Sequence, residues 1–299
     1  MNADLLQAFA RNTTGLTIQN VVVLQHGEQV AQYDWEPDAR RNIYSATKSF
    51  TSTAVGMAID EGLFRLDDKI ARLFAKDMPE NPCEELRMLT VRDLLKMAVG
   101  QQRPLLMAEE RHAMKETDWV AFALAQPFVC QPGSRFQYTN MSGYLCGVLI
   151  QRLTGQSLVD YLTPRLFEPL GIPRPVWETC PKGYNFGAGG LELNTQELAR
   201  FGQLYLQRGL WRGRRLVPDW WVAEATAYQI SPGGKLDNGM GYGYQFWRGQ
   251  HNSFRADGKY GQFSIVLPDK DAVVAIESHE EHNTQGILTH VWEDILPLL

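Results

Sequence analysis

Apolar residues change their spacing along this chain, and the changes divide it into three parts. Residues 20–25 (NVVVLQ) and 28–35 (EQVAQYDW) are short runs rich in β-branched and aromatic residues. Separated by His26-Gly27, they predict a β-hairpin. Residues 5–11 predict a short helix ahead of it. From Ser49 to Ile59 the chain reads SFTSTAVGMAI, with small and apolar residues on every side and no charge. Such a pattern predicts a core helix rather than a surface one, ending near Gly62.

A polar, proline-containing stretch from Asp67 to Pro82 follows, and then the signals are helical. Thr90 and Asp93 form a capping box for VRDLLKMAVG, with Gly100 as the stop. Thr117 opens DWVAFALAQ, which Pro127 ends; residues 142–153 end before Gly155, and residues 157–167 come next. Proline and glycine cluster over residues 164–181. Asn194 and Glu197 make a second capping box, opening ELARFGQLYLQR, and Gly209 stops it. Trp220-Trp221 lie on a further short helix. The tail returns to strand character at residues 241–247 (GYGYQFW), 260–267 (YGQFSIVL) and 272–278 (AVVAIES), and residues 290–299 predict a closing amphipathic helix.

Strands at both ends with helices between them predict an α+β fold. One antiparallel sheet is built from the N- and C-terminal strands and flanked by helices, with an all-helical domain inserted. The expected boundaries are residues 1–67 and 185–299 for the sheet domain and 68–184 for the helical one, with an active site in the cleft between them.

Composition narrows the function. A chain of 299 residues, 44% hydrophobic, can bury a large core. The net charge of −5 and the scattered charges provide no basic patch, so nucleic acid is not an expected partner. No apolar run reaches the roughly eighteen residues a membrane span needs. The first residues carry Asp4 and lack a basic segment followed by an apolar one, so no signal peptide is read and a cytoplasmic location is expected over a periplasmic one. Cys83, Cys130, Cys146 and Cys180 show neither C-x-x-C nor zinc spacing, and reduced thiols are expected. No cofactor is expected.

The candidate chemistry begins at Ser45-Ala46-Thr47-Lys48, an S-x-x-K motif at the mouth of the core helix. Three residues apart, the hydroxyl and the amine lie on neighbouring helix faces. A desolvated lysine can activate an alcohol, and the first helical turn offers free N–H groups to an oxyanion. The motif is short and occurs by chance about once in a chain of this size, but the charge-free run after Lys48 argues against a solvated lysine. Other sites are weaker. No G-x-S-x-G exists. His279-Glu280-Glu281-His282 is one residue short of H-E-x-x-H and reads as a solvated loop. Trp35, Trp119, Trp211, Trp220, Trp221 and Trp292 read as core, as do Tyr242, Tyr244 and Phe246 along one strand face; Arg255 reads as a surface residue.

Two further motifs occur once each: Tyr138-Thr139-Asn140, in a Pro-Gly-rich loop before a helix, and Lys259-Tyr260-Gly261, at the start of a strand. With their contexts (PGSRFQYTNMSGYLCGVLIQRLTGQSL, AGGLELNTQELARFGQLYLQRG and DGKYGQF), the chain resembles the serine β-lactamase and penicillin-binding-protein superfamily over most of its length, and within it the class C-like serine hydrolases. The resemblance implies a β-lactamase/transpeptidase-like fold and a serine acyl-hydrolase working through an acyl-enzyme on Ser45. Lys48 would be the base or its electrostatic tuner. Tyr138 would be the other candidate base, a tyrosinate beside two ammonium groups, and later the acid for the leaving group. Asn140 would donate its amide to the substrate carbonyl. Lys259 would steady Tyr138 and attract an anionic group. The oxyanion hole would be the backbone N–H groups of Ser45 and of Gln262 on an edge strand, beside Tyr260 and Gly261. Tyr260 replaces the family's usual small or hydroxyl residue, which puts bulk where a fused β-lactam would sit. No Glu-x-x-Leu-Asn motif is present, so deacylation would run through Tyr138 and Lys48. Expected substrates are small esters or amides, with β-lactams slower. The rival readings are a D,D-carboxypeptidase or penicillin-binding protein, a weak β-lactamase, and a non-catalytic binding relative. No oligomeric state is assigned.

Overall fold

The computed structural model describes residues 5–234 and 236–299; Asp4, noted above, lies outside them. Its main sheet has six strands: β1 (Ile18–Gln25), β2 (Glu28–Asp34), β3 (Trp247–Arg248), β4 (Phe254–Gly258), β5 (Gln262–Leu267) and β6 (Ala272–Ser278). Their order is β2-β1-β6-β5-β4-β3, with every neighbouring pair antiparallel. The two ends of the chain therefore share one sheet, joined where β1 pairs with β6. Both faces of this sheet are covered. Val22, Leu24, Val273 and Ala275 face the larger core, and Val21, Val23, Val274 and Ile276 face a second one closed by Phe9, Leu288 and Trp292. Covered faces explain why residues 21–24 (VVVL) are continuously apolar instead of alternating.

Between Ile70 and Phe167 every described element is helical. Both capping boxes form, Thr90 with Asp93 and Asn194 with Glu197. The element opened by Thr90 stops at Leu95, because Met97 turns to φ +58°. The cap before Trp119–Leu124 is Asp118, not Thr117. The closing helical run starts earlier than the sequence suggested, at Thr284. Residues 241–246 are not a strand. Gln245 takes φ +63°, and the N–H groups of Tyr244 and Gln245 bond to Ala225 and Leu95 instead of to a neighbouring strand. Tyr242, Tyr244 and Phe246 are nonetheless buried. Trp221, Trp119 and Trp292 are core as expected, whereas Trp35 and Trp220 are exposed at 37% and 40%.

The predicted core helix runs from Thr47 to Asp60, and every residue from Thr47 to Ala58 is buried. A methyl group added at Gly56 would fall 2.3 Å from Cγ of the fully buried Trp221 ring. Gly56→Ala is therefore expected to destabilise the fold by about 2 kcal/mol through overpacking. A lowered urea midpoint would show it; an unchanged midpoint would mean the indole has room to move.

Glu277 on β6 is completely buried. Its Oε2 lies 3.1 Å from Arg41 Nη1. Burial first, and the Asp38 carboxylate second, push its pKa up to about 8 against the pull of Arg41. A folded pKa above the unfolded one means that the native state holds an extra proton between the ordinary value of 4.5 and about 8. Stability should therefore fall as pH rises through that window. Glu277→Gln should remove the slope and be the more stable protein above it. Parallel stability–pH curves for the two proteins would contradict this assignment.

Candidate active site

The chain enters the core helix through a strained turn. Tyr44 sits at φ +47°, its N–H bonded to Asn42 Oδ1 at 2.7 Å. The turn leaves Ser45 facing a cleft of about 660 Å³, lined in part by Tyr138, Asn140, Trp247, Asp257 and Lys259.

Lys48 is 1% exposed, and its Nζ has three neighbours. Ser45 Oγ lies at 3.0 Å, Asn140 Oδ1 at 2.7 Å and the Ala188 carbonyl oxygen at 2.8 Å. Burial, and then the nearby Arg111 guanidinium, hold the Lys48 pKa well below the ordinary lysine value. A neutral amine has two N–H bonds and one lone pair. The two carbonyl-type oxygens accept the N–H bonds, so the lone pair is left for Ser45.

The carbonyl of Ala188 is held by a close crossing. A Cβ on Gly143 would sit 2.9 Å from the Gly187 carbonyl oxygen, and one on Gly187 2.5 Å from that of Gly143. Thr51 donates to the Gly187 carbonyl at 2.7 Å. The loop is thereby clamped between the core helix and the Asn140–Thr154 helix.

Tyr138 lines the cleft beside Ser45, and the serine hydroxyl acts to lower the phenol's pKa. Its ring stacks on Trp247 at 5.9 Å, and Lys48 Nζ sits 4.9 Å from its centroid. The two bridging residues are tied down as well. Thr139 Oγ1 accepts from Leu105 N at 3.0 Å, and Asn140 Nδ2 donates to Leu106 O at 2.9 Å.

Several expectations need correction. The tyrosinate is one of them: the Tyr138 pKa is raised, by burial and by Asp257, with only the Ser45 hydroxyl opposing. Lys259 does not steady it. That side chain is exposed, with its amine 4.5 Å from the Tyr260 centroid. The second cation near Lys48 is instead Arg111. It lies 2.8 Å from Glu178 and over the Phe186 ring at 4.2 Å. Asn140 spends its amide on Leu106 and offers Lys48 its oxygen.

Lys259-Tyr260-Gly261 does not begin a strand. These residues form a three-residue hairpin turn closed by the Gly258–Gln262 pair, with Tyr260 at φ +68° and Gly261 at φ +86°. Gln262 is consequently buried on β5, inside the sheet rather than at its edge, and neither it nor Gly261 lines the cleft. The glycine that meets the serine turn is Gly258, where a Cβ would fall 2.2 Å from the Ile43 carbonyl oxygen and 3.2 Å from Ala46 N. Arg255 is fully buried, not a surface residue. Sequence reasoning passed over Ala188, Arg111, Asp257 and Trp247. The one usable signal was the Asp-Gly pair just before Lys259, a turn marker that shifts the register of the motif.

Among the described residues no cluster of metal-ligating side chains occurs, and Glu280 of the His279–His282 stretch accepts the N–H groups of Thr17, His282 and Asn283. All four cysteines are free thiols. No helix among the described residues is long and apolar enough to cross a membrane.

The sequence profile of the family described as Beta-lactamase matches residues 10–290. The chain belongs to the Beta-lactamase family. Curated members similar to it include 6-aminohexanoate-dimer hydrolase from Paenarthrobacter ureafaciens, 27% identical over 225 residues, which cover 69% of this chain and 56% of that protein. Penicillin-binding protein 4 from Amycolatopsis lactamdurans is 24% identical over 290 residues, 84% of this chain and 74% of the relative. The chain thus spans little more than half the length of the first of these Beta-lactamase relatives. Among solved structures, the octameric penicillin-binding protein homologue from Pyrococcus abyssi superposes with a TM-score of 0.77 at 20% identity, over 99% of this chain and 78% of that one. EstCE1, a hydrolase with promiscuous acyltransferase activity, does so with a TM-score of 0.76 at 15% identity, over 98% of each chain. At these identities the likeness shows the Beta-lactamase fold alone.

Proposed function

We propose that this protein is a serine acyl-hydrolase that cleaves small esters or amides through an acyl-enzyme on Ser45. The observation that carries this reading is the environment of Lys48: a buried amine whose N–H bonds are taken by Asn140 and Ala188 and whose remaining neighbour is Ser45 Oγ at 3.0 Å. Lys48 takes the Ser45 proton as the oxygen attacks the substrate carbonyl. The oxyanion is met by the N–H of Ser45 and by the peptide following Gly258, the residue packed against the serine turn. Tyr138, a neutral phenol, gives its proton to the departing oxygen or nitrogen, and the proton on Lys48 replaces it. A water molecule then attacks the Ser45 ester. One of its protons returns to Ser45 through Lys48, and the carboxylic acid leaves.

The substrate class has two supports. The curated relative from Paenarthrobacter ureafaciens carries a name that specifies hydrolysis of a 6-aminohexanoate dimer. Tyr260 stands edge-on to Tyr44 at 5.1 Å beside the cleft, which favours a slender chain over a fused ring. The sheet and helical segments, divided near residues 67 and 185, would form the two walls. The test is labelling with a fluorophosphonate followed by peptide mass spectrometry. An adduct on Ser45, absent in Ser45→Ala, is expected. An unlabelled wild-type protein that also fails to turn over p-nitrophenyl esters, nitrocefin and D-amino-acid amides would favour the non-catalytic reading.

A further inference from the structure

A carboxylate lies in the cleft wall that takes no part in the proton transfers above, although its charge helps to keep Tyr138 protonated. Asp257 is the penultimate residue of β4, and its side chain is 23% exposed into the cleft. Its one side-chain hydrogen bond among the described residues comes from Arg255 Nε, at 2.8 Å on Oδ2. Arg255 itself is wholly buried, with Nη2 donating to Asn238 Oδ1 at 2.8 Å and Nη1 unpartnered.

Arg255 does not balance Asp257 alone. It also faces the buried Asp237, whose other partners are uncharged donors: Gln250 N and Nε2, Gln285 Nε2 and Trp292 Nε1. Two carboxylates share one guanidinium, so a net negative charge remains, and Asp257 is the member that reaches the cleft. Neither of the cleft-lining cations pairs with Asp257. Arg111 is paired with Glu178, and the Lys259 amine is turned onto the Tyr260 ring. Burial raises the Asp257 pKa, with Asp237 adding to it against Arg255, so the anion stands to gain from a further positive partner.

We propose that Asp257, positioned by Arg255, binds an ammonium group of the substrate, so that the enzyme prefers cationic esters or amides over neutral ones of the same shape. This rests on the acyl-Ser45 reading above. A charge-assisted hydrogen bond in a partly buried site is expected to be worth about tenfold or more in kcat/KM.

Two substrate pairs test it, each comparing a tertiary ammonium with the neutral isostere in which CH replaces NH⁺. One pair carries the charge on the acyl side, as p-nitrophenyl esters of γ-dimethylaminobutyric acid and its isostere. The other carries it on the leaving group, as phenyl acetates bearing a dimethylaminomethyl group or its isostere. Wild type should favour the cationic member of at least one pair by about tenfold or more, mainly through KM. Asp257→Asn should abolish that ratio, and Asp257→Glu should restore part of it. Turnover of the neutral esters with no cationic preference in either pair would overturn the inference and leave the hydrolase reading standing. So would a preference that survives Asp257→Asn, or an Asp257→Asn loss equal for both members of each pair. No turnover and no fluorophosphonate adduct on Ser45 would instead remove the hydrolase reading, and this inference with it.

Discussion

Lys48→Met is expected to slow acylation of Ser45 by about three orders of magnitude while changing KM little. Methionine keeps most of the side chain's apolar volume in a fully buried slot but lacks the basic nitrogen, so the unchanged KM separates lost proton transfer from a disturbed site. The pH profile offers an independent check. Burial and Arg111 hold the lysine well below its ordinary value, which favours the free amine. The acylation rate should fall as pH drops through that lowered pKa and level off above it, and Lys48→Met should lack this limb. A pre-steady-state burst measured across pH reads both. A variant that acylates at the wild-type rate would take Lys48 out of the proton path.

Tyr138→Phe is expected to cost about two to four orders of magnitude in kcat/KM on alkyl esters or amides, and far less on p-nitrophenyl esters. The difference follows from the phenol's protonation. Burial and Asp257 hold its pKa above the ordinary tyrosine value, so near neutral pH it is a donor and not a base. A poor leaving group needs that proton; p-nitrophenolate does not. The dependence of the loss on leaving-group pKa decides the matter. An equal loss on all substrates would return Tyr138 to the role of base.

How much of this was legible in the sequence depended on how local the cause was. The helix after Lys48 could be read because burial on all sides leaves a run free of charge, and both capping boxes because their partners stand three residues apart. The shared sheet followed from strand patterns at both ends. The third motif was misplaced because letters do not reveal which residues a turn consumes. The left-handed Tyr260 and Gly261 close the hairpin, so Gly258, not Gly261, meets the serine turn. GYGYQFW looked like a strand because its aromatics alternate, yet their burial comes from helices and loops packed around a bend. Arg111, Ala188 and Asp257 act through distance alone: each is remote in sequence from the group it influences, and Ala188 contributes only a backbone oxygen.

The pairing of β1 with β6 has a consequence for how the enzyme comes into being. The strand that completes the middle of the sheet lies far downstream of the first hairpin, which must wait, one rim unpaired, while the intervening helices are made. Contacts closing so long a loop form slowly. A newborn chain would carry its serine and lysine from early in translation and still be chemically inert until the distant strand returns to pair with the first.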